Sequence, residues 1–444
     1  MATNFYFPRE NTQPKRLVEW APGVICNWIC KHTIHAVQSS DGTSSNGSPL
    51  AVGIVFFGYG FISASAFSRM PAIRDQLGST PTQLSFALVW GGIGIVLGSP
   101  FTGRLVDRYS SRVVSVAATL ITLTGWALVP TASSIPILAL MFFIIGAGGG
   151  AAGVAVNIQG SLVEKRRKKV WMPHWHGLFS IGAVVGAVAA AFAAFIKLAI
   201  GWQFLTVSAL WAVVIYLATI RFIPDANLHP NPKSKPAENK AGQQRQLVLP
   251  PTVILLGIIA LAACLGESAA HDWLALILVD NRMAAPALGA ISVAGFDLTM
   301  TLGRFTGGTL IQRYGRTPVL RVAGVLACIG VGALCLINST PVALLGASAW
   351  GLGLSVVFPA AISAAGEIPN RGSQAIATVA TIGYGGFLLG APLIGFLAHS
   401  MPLDKALLAV AAIVLLIAIL ASAARERGIT PRPVSNLISS HGSS

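Results

Sequence analysis

Long apolar blocks, separated by short polar segments, repeat along the chain from Leu50 onward. Each block is close to the roughly 20 residues that an α-helix needs to cross the hydrocarbon core of a bilayer. A helix of a soluble domain would instead carry an apolar stripe with a period near 3.6 and a polar back. The blocks therefore predict membrane-spanning helices at 50–69, 82–102, 113–131, 134–160, 174–196, 202–222, 250–280, 286–305, 318–337, 341–363, 374–398 and 403–423.

A polar segment rich in proline and lysine separates the sixth predicted helix from the seventh. Its composition is typical of a hydrophilic linker. The residues before the first helix and after the last one are also polar, and the first of these segments is predicted to be disordered. The predicted organisation is a cytoplasmic tail at 1–48, a six-helix half at 49–223, a cytoplasmic linker at 224–249, a second six-helix half at 250–424 and a cytoplasmic tail at 425–444.

The composition supports a membrane protein. Hydrophobic residues make up 54% of the 444 residues, and charged residues make up only 10%. Soluble domains carry about 25% charged residues, so this chain has too few charged side chains for an ordinary water-facing surface. The expected fold class is an all-α integral membrane protein.

The basic residues predict the orientation in the membrane. The net charge is +15, from 30 Lys and Arg against 15 Asp and Glu. Cytoplasmic loops of membrane proteins carry an excess of Lys and Arg, and a cytoplasmic N-terminus places most of these residues in inner loops. We therefore expect a multi-pass protein of the plasma or bacterial inner membrane, with both termini cytoplasmic. The same distribution makes the lipid bilayer the partner of the basic loops and argues against nucleic-acid binding.

A short motif occurs twice, at the same place in each predicted half. The first copy, between the second and third helices, runs from Gly103 through Asp107 and Arg108 to Arg112. The second copy, between the eighth and ninth helices, begins at Gly308 and includes Arg313 and Arg316. Related segments at this spacing indicate two parallel repeats. We expect Gly103 to let the end of the helix turn sharply and Asp107 to form a cap or an ion pair with the other half.

The motif resembles the signature loop of the major facilitator superfamily, G-x-L-x-D-R-x-G-R-[KR], with Ser110 where glycine is usual. The resemblance covers roughly residues 50–425 and implies twelve helices in two pseudo-symmetric halves, a central cavity and alternating access by rocking. It also implies that the loop helps to hold the halves together in one conformational state. The residues that would form this latch are Gly103, Asp107, Arg108, Arg112, Arg313 and Arg316; the alternative is that the arginines only anchor the topology.

A second pattern, from Gly266 and Glu267 to Trp273 in the seventh helix, resembles fucose-permease-like sugar carriers and bacterial relatives of unassigned substrate. His176 and Ser180 at the start of the fifth helix fit the same group. The resemblance implies secondary transport of a small, sugar-like solute, and the acidic residues described next lead us to expect coupling to protons. The fifth helix lacks the Gly-Pro signature of drug–proton antiporters, which weakens that assignment.

Three acidic residues lie within predicted spans: Glu267, Asp272 and Asp297. A charged side chain at the centre of a bilayer costs about 2.5–3.5 kcal/mol on insertion scales and usually faces a cavity or a partner. Such carboxyl groups are candidates for binding substrate or carrying the coupled proton, and the alternative is a structural carboxylate. Asp272 is the weaker candidate because it falls closer to the outer surface.

Neighbouring polar residues extend the candidate site. Trp273 could stack against a sugar and His271 could also contact the substrate, although tryptophans near helix ends are more often interfacial anchors. In the first half, Asn157 could bind a polar substrate or join two helices, and His176 could relay a proton.

No motif of an ATPase or of a catalytic nucleophile is present in the sequence, and we expect neither an enzyme nor a cofactor. Two cysteines and two histidines between residues 26 and 35 do not have the spacing of a zinc finger, so no metal site is predicted. We expect a monomer. Two alternatives are an exporter of amphipathic or cationic compounds and a non-transporting membrane sensor or scaffold.

Overall fold

The computed structural model describes residues 48–225 and 250–426, which are helical with short connections. Most of the predicted tails and linker, together with the cysteines and histidines between 26 and 35, lie outside the described residues.

In the first half, the helices are α1 (Pro49–Phe67), α2 (Met70–Gln76), α3 (Pro81–Gly98), α4 (Thr102–Tyr109), α5 (Ser111–Leu128), α6 (Ile135–Arg167), α7 (Met172–Phe195) and α8 (Ile200–Thr219). In the second half, they are α9 (Pro251–Leu276), α10 (Pro286–Tyr314), α11 (Arg316–Leu336), α12 (Thr340–Leu354), α13 (Val357–Gly366), α14 (Gly372–Ala398) and α15 (Leu403–Leu420).

Within the described ranges, 10 helical segments are long and apolar enough to cross a membrane, and two of them join α1 with α2 and α12 with α13. The number is 11 if α3 and α4, which are bent by 52°, form one span. The helix of the sequence prediction that is not among them is α10, which has 29 residues and contains Asp297 and Arg304. The all-α membrane fold is confirmed, and α10 would complete the predicted twelve.

Two predicted helices end too early. The fourth was predicted to end at residue 160, but α6 continues to Arg167; the eighth was predicted to end at 305, but α10 continues to Tyr314. The hydropathy of the sequence falls where a helix reaches polar surroundings, but the backbone hydrogen bonds of the helix continue beyond that point. The hydropathy pattern therefore marks the end of the apolar part and not the end of the helix. Basic residues in the last turn of α6 also favour its extension, since the C-terminal end of a helix carries partial negative charge.

The prediction that Gly103 turns the end of a helix is wrong. Gly103 lies inside α4, and the chain bends before it, between Gly98 and Thr102. What Gly103 provides is a close approach to the second half. A Cβ atom at this position would lie 2.8 Å from Cα of Gln374 and 2.8 Å from the carbonyl oxygen of Ser373.

The two copies of the motif have matching geometry. The residue between α4 and α5, Ser110, has φ 90° and ψ 151°, and the residue between α10 and α11, Gly315, has φ 84° and ψ 158°. Arg108 stacks on Tyr109 in the first copy, and Arg313 stacks on Tyr314 in the second. The structure therefore repeats the motif down to its backbone conformation.

Each repeat also has an acid that caps the helix after the motif. The backbone N–H of Ser111 donates to Asp225 at 2.6 Å, and that of Arg316 donates to Glu426. Asp225 follows the last helix of the first half, and Glu426 follows the last helix of the second half. In each half, the end of the last helix is therefore joined to the start of the helix after the motif.

Replacing Ser110 by glycine should raise the free energy of unfolding by about 1 kcal/mol or more. The region near φ 90°, ψ 151° is occupied almost only by glycine, and another residue there costs about 1–3 kcal/mol. The Ser110 hydroxyl accepts a weak capping bond from the N–H of Val113 at 3.3 Å, and loss of such a cap to glycine costs only a few tenths of a kcal/mol. Thermal unfolding of the purified protein in detergent measures the difference.

Ser110→Ala is the matched control, because it removes the hydroxyl but keeps the Cβ atom in the unfavourable region. This variant should be less stable than the wild type. Gly315→Ala introduces the same strain into the second copy and should also destabilise. A Ser110→Gly variant that is no more stable than the wild type would contradict the strain argument.

Within each half, the helices approach closely where a glycine faces a neighbouring backbone. A Cβ atom on Gly146 of α6 would lie 2.0 Å from the carbonyl oxygen of Gly91 in α3. In the second half, a Cβ atom on Gly351 of α12 would lie 2.3 Å from the carbonyl oxygen of Phe296 in α10. Such small-residue contacts are a usual way for membrane helices to pack.

Candidate functional site

A cavity of about 770 Å³ lies between the two halves. Helices α1, α3, α5, α6 and α7 line it from the first half, and α9 and α14 line it from the second. Most of its lining is apolar, and Asp272 is the only carboxylate among the described residues that line it. Its aromatic side chains are Tyr59, Phe67, Trp126, Phe142, Phe179, Tyr384 and Phe387.

The halves meet at one end of the bundle, which we call the termini end because Ser48, Asp225 and Glu426 lie there. Here the side-chain amide of Gln374 in α14 donates to Asp107 in α4 at 3.2 Å. The cavity lies toward the opposite end, where α1 ends at Phe67. The structure is therefore closed between the halves at the termini end.

Glu164 provides a second contact across the termini end. One of its carboxylate oxygens accepts hydrogen bonds from the backbone N–H groups of Trp171 and Met172, each at 2.7 Å. Its other oxygen accepts a bond from the hydroxyl of Ser363 in α13, also at 2.7 Å. In the sequence, Glu164 belongs to a charged run that ends at Lys169. That run does not indicate that Glu164 caps α7 and contacts the other half.

An ion pair that the sequence did not predict lies within the second half, where it faces the first half. Arg304 of α10 lies 3.3 and 3.4 Å from the two carboxylate oxygens of Glu267 in α9. Its guanidinium also donates to the hydroxyl of Ser180 in α7 at 2.6 Å. The side chains of Arg304 and Glu267 are only 11% and 20% exposed, so the pair is largely shielded from water. Arg304 thus connects an acid of its own half to the first half.

A signal for Arg304 was present in the sequence. It follows Asp297 by two helical turns, so both lie on one face of α10. Arg304 lies one residue before the predicted end of the span, where a basic residue is usual at the membrane surface, so its position alone does not indicate an ion pair.

The other predicted acids have different partners. A ring nitrogen of His271 lies 2.8 Å from Asp297, and both side chains are exposed. Asp272 accepts a hydrogen bond from the hydroxyl of Ser268 at 3.0 Å. Along α9, Glu267, His271 and Asp272 thus form a polar surface, with Asp297 across from it on α10.

Asn157 and His176 form a second small group in the first half. Their side chains are 3.4 Å apart, and the ring of His176 packs against those of Phe56 and Phe358. Phe358 belongs to the second half, so His176 also takes part in contact between the halves. Trp273 is placed elsewhere: it packs against Gly395 of α14 and is not among the residues that line the cavity.

The predicted latch residues are divided between two roles. Asp107 and Gly103 contact the second half, whereas Arg316 is buried and pairs with Glu367 within its own half. Arg316 also interacts electrostatically with Glu164 of the first half, so its place in a latch between the halves stays a prediction. Arg108 and Arg313 are exposed and stack on tyrosines, and Arg112 is half-buried at the start of α5.

No group of three or more histidine, cysteine, aspartate or glutamate residues that could hold a metal occurs within 48–225 and 250–426. What the arrangement offers is a cavity closed at one end and a shielded ion pair that also bonds to the opposite half.

Known proteins share this architecture. The fucose:proton symporter FucP of E. coli superposes with a TM-score of 0.68 at 14% identity, over 85% of this chain and 98% of that chain. A FucP structure in the outward conformation gives a TM-score of 0.68 at 16% identity, over 85% of this chain and 99% of that chain. The human organic anion transporter MFSD10 gives 0.66 at 14% identity, over 86% and 100%. At these identities the likeness concerns the fold.

Sequence comparison gives the family. An uncharacterized MFS-type transporter of Yersinia pestis is 30% identical over 368 residues, which cover 82% of this chain and 92% of that protein. The family model of the Major Facilitator Superfamily matches residues 50–296, more than half of the chain. With the repeated motif, the paired halves and the cavity between them, these matches show that the chain belongs to the Major Facilitator Superfamily.

Proposed function

We propose that the protein is a secondary active transporter that moves a small solute by alternating access and couples this movement to protons through Glu267 and Arg304. The observation that carries the proposal is that Arg304 binds an acid of the second half and a hydroxyl of the first half at the same time. Protonation of Glu267 would therefore change the balance of charge at a contact between the halves.

The coupling follows from the charges. An ionised Glu267 attracts Arg304 strongly because the pair is largely shielded from water. Once Glu267 is protonated, this attraction is lost and the guanidinium is left as an unbalanced charge between the halves. A conformational change of the transporter that gives Arg304 different contacts then becomes favourable. His176, whose ring lies between the halves, and the His271–Asp297 pair are secondary candidates for the proton path.

We propose that the termini end is cytoplasmic, in the plasma or inner membrane, and that the structure represents the outward-facing state. The basic residues of the inner loops support this orientation. The contact of Asp107 with Gln374 supports the latch proposed for the repeated motif, with Glu164 and Ser363 as a second closing pair. On opening toward the cytoplasm, both contacts would separate.

The proposal is tested by the pH change inside proteoliposomes when solutes from a panel of sugars and organic cations are added. The wild type should give a solute-dependent proton flux. In Glu267→Gln this flux should fall at least about 10-fold, since one neutral side chain removes the proton-binding group. Solute exchange without net proton movement should continue in the variant.

Asp75→Asn is the control for loss of one negative charge, because Asp75 is exposed and pairs with its neighbour Arg74. It should leave the flux unchanged. Only monodisperse protein is reconstituted, and Glu267→Asp, which keeps a carboxylate, should retain part of the flux. Wild-type protein that moves no proton with any solute would contradict the coupling, and absence of all solute movement would favour a sensor or scaffold.

A further inference from the structure

We propose that the cavity binds an amphipathic organic cation, with Asp272 as the counter-ion and the surrounding aromatic rings as the contact for the apolar body. This inference deepens the proposed function by naming the class of solute. A sugar-like solute, implied by the resemblance to fucose-permease-like carriers, is the competing hypothesis.

The charges around the cavity favour a cation. Glu267 is balanced by Arg304, and Asp297 lies against the ring of His271. Asp272 differs from both, because its hydrogen-bond partner is the neutral hydroxyl of Ser268. Its nearest basic group, His271, interacts with it electrostatically but has its short contact with Asp297. The cavity therefore has one carboxylate whose charge a bound cation could balance.

The walls favour a solute with an apolar body. Rings of Tyr59, Trp126, Phe179 and Tyr384 line the cavity, and the faces of aromatic rings attract cations. Apolar surface of this kind stabilises a ligand by removing its own apolar surface from water. A volume of about 770 Å³ accommodates a solute larger than a simple inorganic ion.

The lining is mostly apolar, and several of its polar groups are already occupied by other residues of the protein. The hydroxyl of Tyr59 is hydrogen-bonded to Thr119 at 2.7 Å, and that of Thr122 donates to a backbone carbonyl of its own helix. Ser268 is engaged with Asp272. A sugar needs several free hydrogen-bonding groups around its ring, because each hydroxyl buried without a partner costs free energy. The lining is therefore better matched to a single charged group on an apolar body.

The test compares three ligands of nearly equal shape, 4-phenylbutylamine, 4-phenylbutanol and 4-phenylbutyrate, for equilibrium binding to the full chain in detergent. The amine should bind at least about 10-fold more tightly than the alcohol, and the carboxylate most weakly, since a charge-assisted contact is stronger than a neutral one. In Asp272→Asn, the preference for the amine over the alcohol should fall at least about 10-fold.

Two variants separate this effect from loss of folding. Asp272→Glu keeps the charge and should keep the order amine, alcohol, carboxylate. Asp75→Asn removes an exposed acid outside the cavity and should bind all three ligands as the wild type does. Partition into detergent differs among the three ligands but is the same for every variant, so the comparison of the wild type with Asp272→Asn is independent of it.

Equal binding of amine and alcohol by the wild type, or an unchanged preference in Asp272→Asn, would overturn the inference. If sugars drive a proton flux and the amine neither binds nor competes with them, the inference fails while the proposed coupled transport stands. If the amine binds through Asp272 but no solute moves protons, the inference stands and the coupling fails.

Discussion

Replacing either member of the Arg304–Glu267 pair by glutamine should lower the free energy of unfolding by about 3–5 kcal/mol, since removal of one partner leaves an uncompensated charge in shielded surroundings. The two side chains are only 11% and 20% exposed, so water can replace little of the lost interaction. The effect should be larger for Glu267→Gln. Its loss leaves Arg304 with the hydroxyl of Ser180 as its one remaining side-chain partner among those described above.

The double variant, Glu267→Gln with Arg304→Gln, should be more stable than either single variant. With both charges removed, no unpaired charge remains, and two amides can hydrogen-bond to each other. Chemical or thermal unfolding of the four proteins gives a double-mutant cycle, and its coupling energy should be at least about 1 kcal/mol. The exposed pair Arg74–Asp75 is the matched control, for which the same cycle should give about 0–1 kcal/mol.

A coupling energy near zero for Arg304 and Glu267 would mean that the two charges are solvated independently. The proposed transmission of protonation from Glu267 to the contact between the halves would then lose its physical basis. The stability cycle is therefore informative before any solute has been identified.

Much of the fold was legible in the sequence because a bilayer imposes one requirement on every spanning helix. Each span must be apolar over about the same length, so the blocks of hydropathy located the helices. The repeated motif then revealed the two halves, because it places one local structure at the same point of each repeat. Ser110 and Gly315 share a backbone conformation although one of them is not glycine.

The pairing of charges was not legible, because it depends on how two helices are rotated about their own axes. Glu267 and Arg304 lie on α9 and α10, and nothing in either segment alone states that their polar faces meet. Arg304 also lay near the end of a predicted span, where a basic residue is expected at the membrane surface. The identity of the acid in the cavity was hidden for the same reason: Asp272 ranked below Glu267 and Asp297, yet it is the one that lines the cavity.

Gly103→Ala should shift the protein away from the state closed at the termini end. The added Cβ atom would lie 2.8 Å from Cα of Gln374 and 2.8 Å from the carbonyl oxygen of Ser373, and backbone atoms of another helix cannot rotate aside as a side chain can. Overpacking of this kind costs about 1–3 kcal/mol, which changes the ratio of two states by about 5–150-fold. Spin labels at the exposed positions 108 and 313, in a chain without its native cysteines, would report a longer distance between the halves.

Gly385→Ala is the matched control, since it adds the same methyl group to the interior of α14, where no described atom lies within 4 Å of the new Cβ. Both substitutions replace a helical glycine by alanine and so favour the helix, whereas only Gly103→Ala adds a close contact between the halves. A longer distance in Gly103→Ala alone would show that closure depends on this approach and not on helix stability. If the two variants give the same distance, the close approach of α4 to α14 does not control the equilibrium. The hydrogen bonds of Asp107 and Glu164 would then be the contacts that determine closure at the termini end.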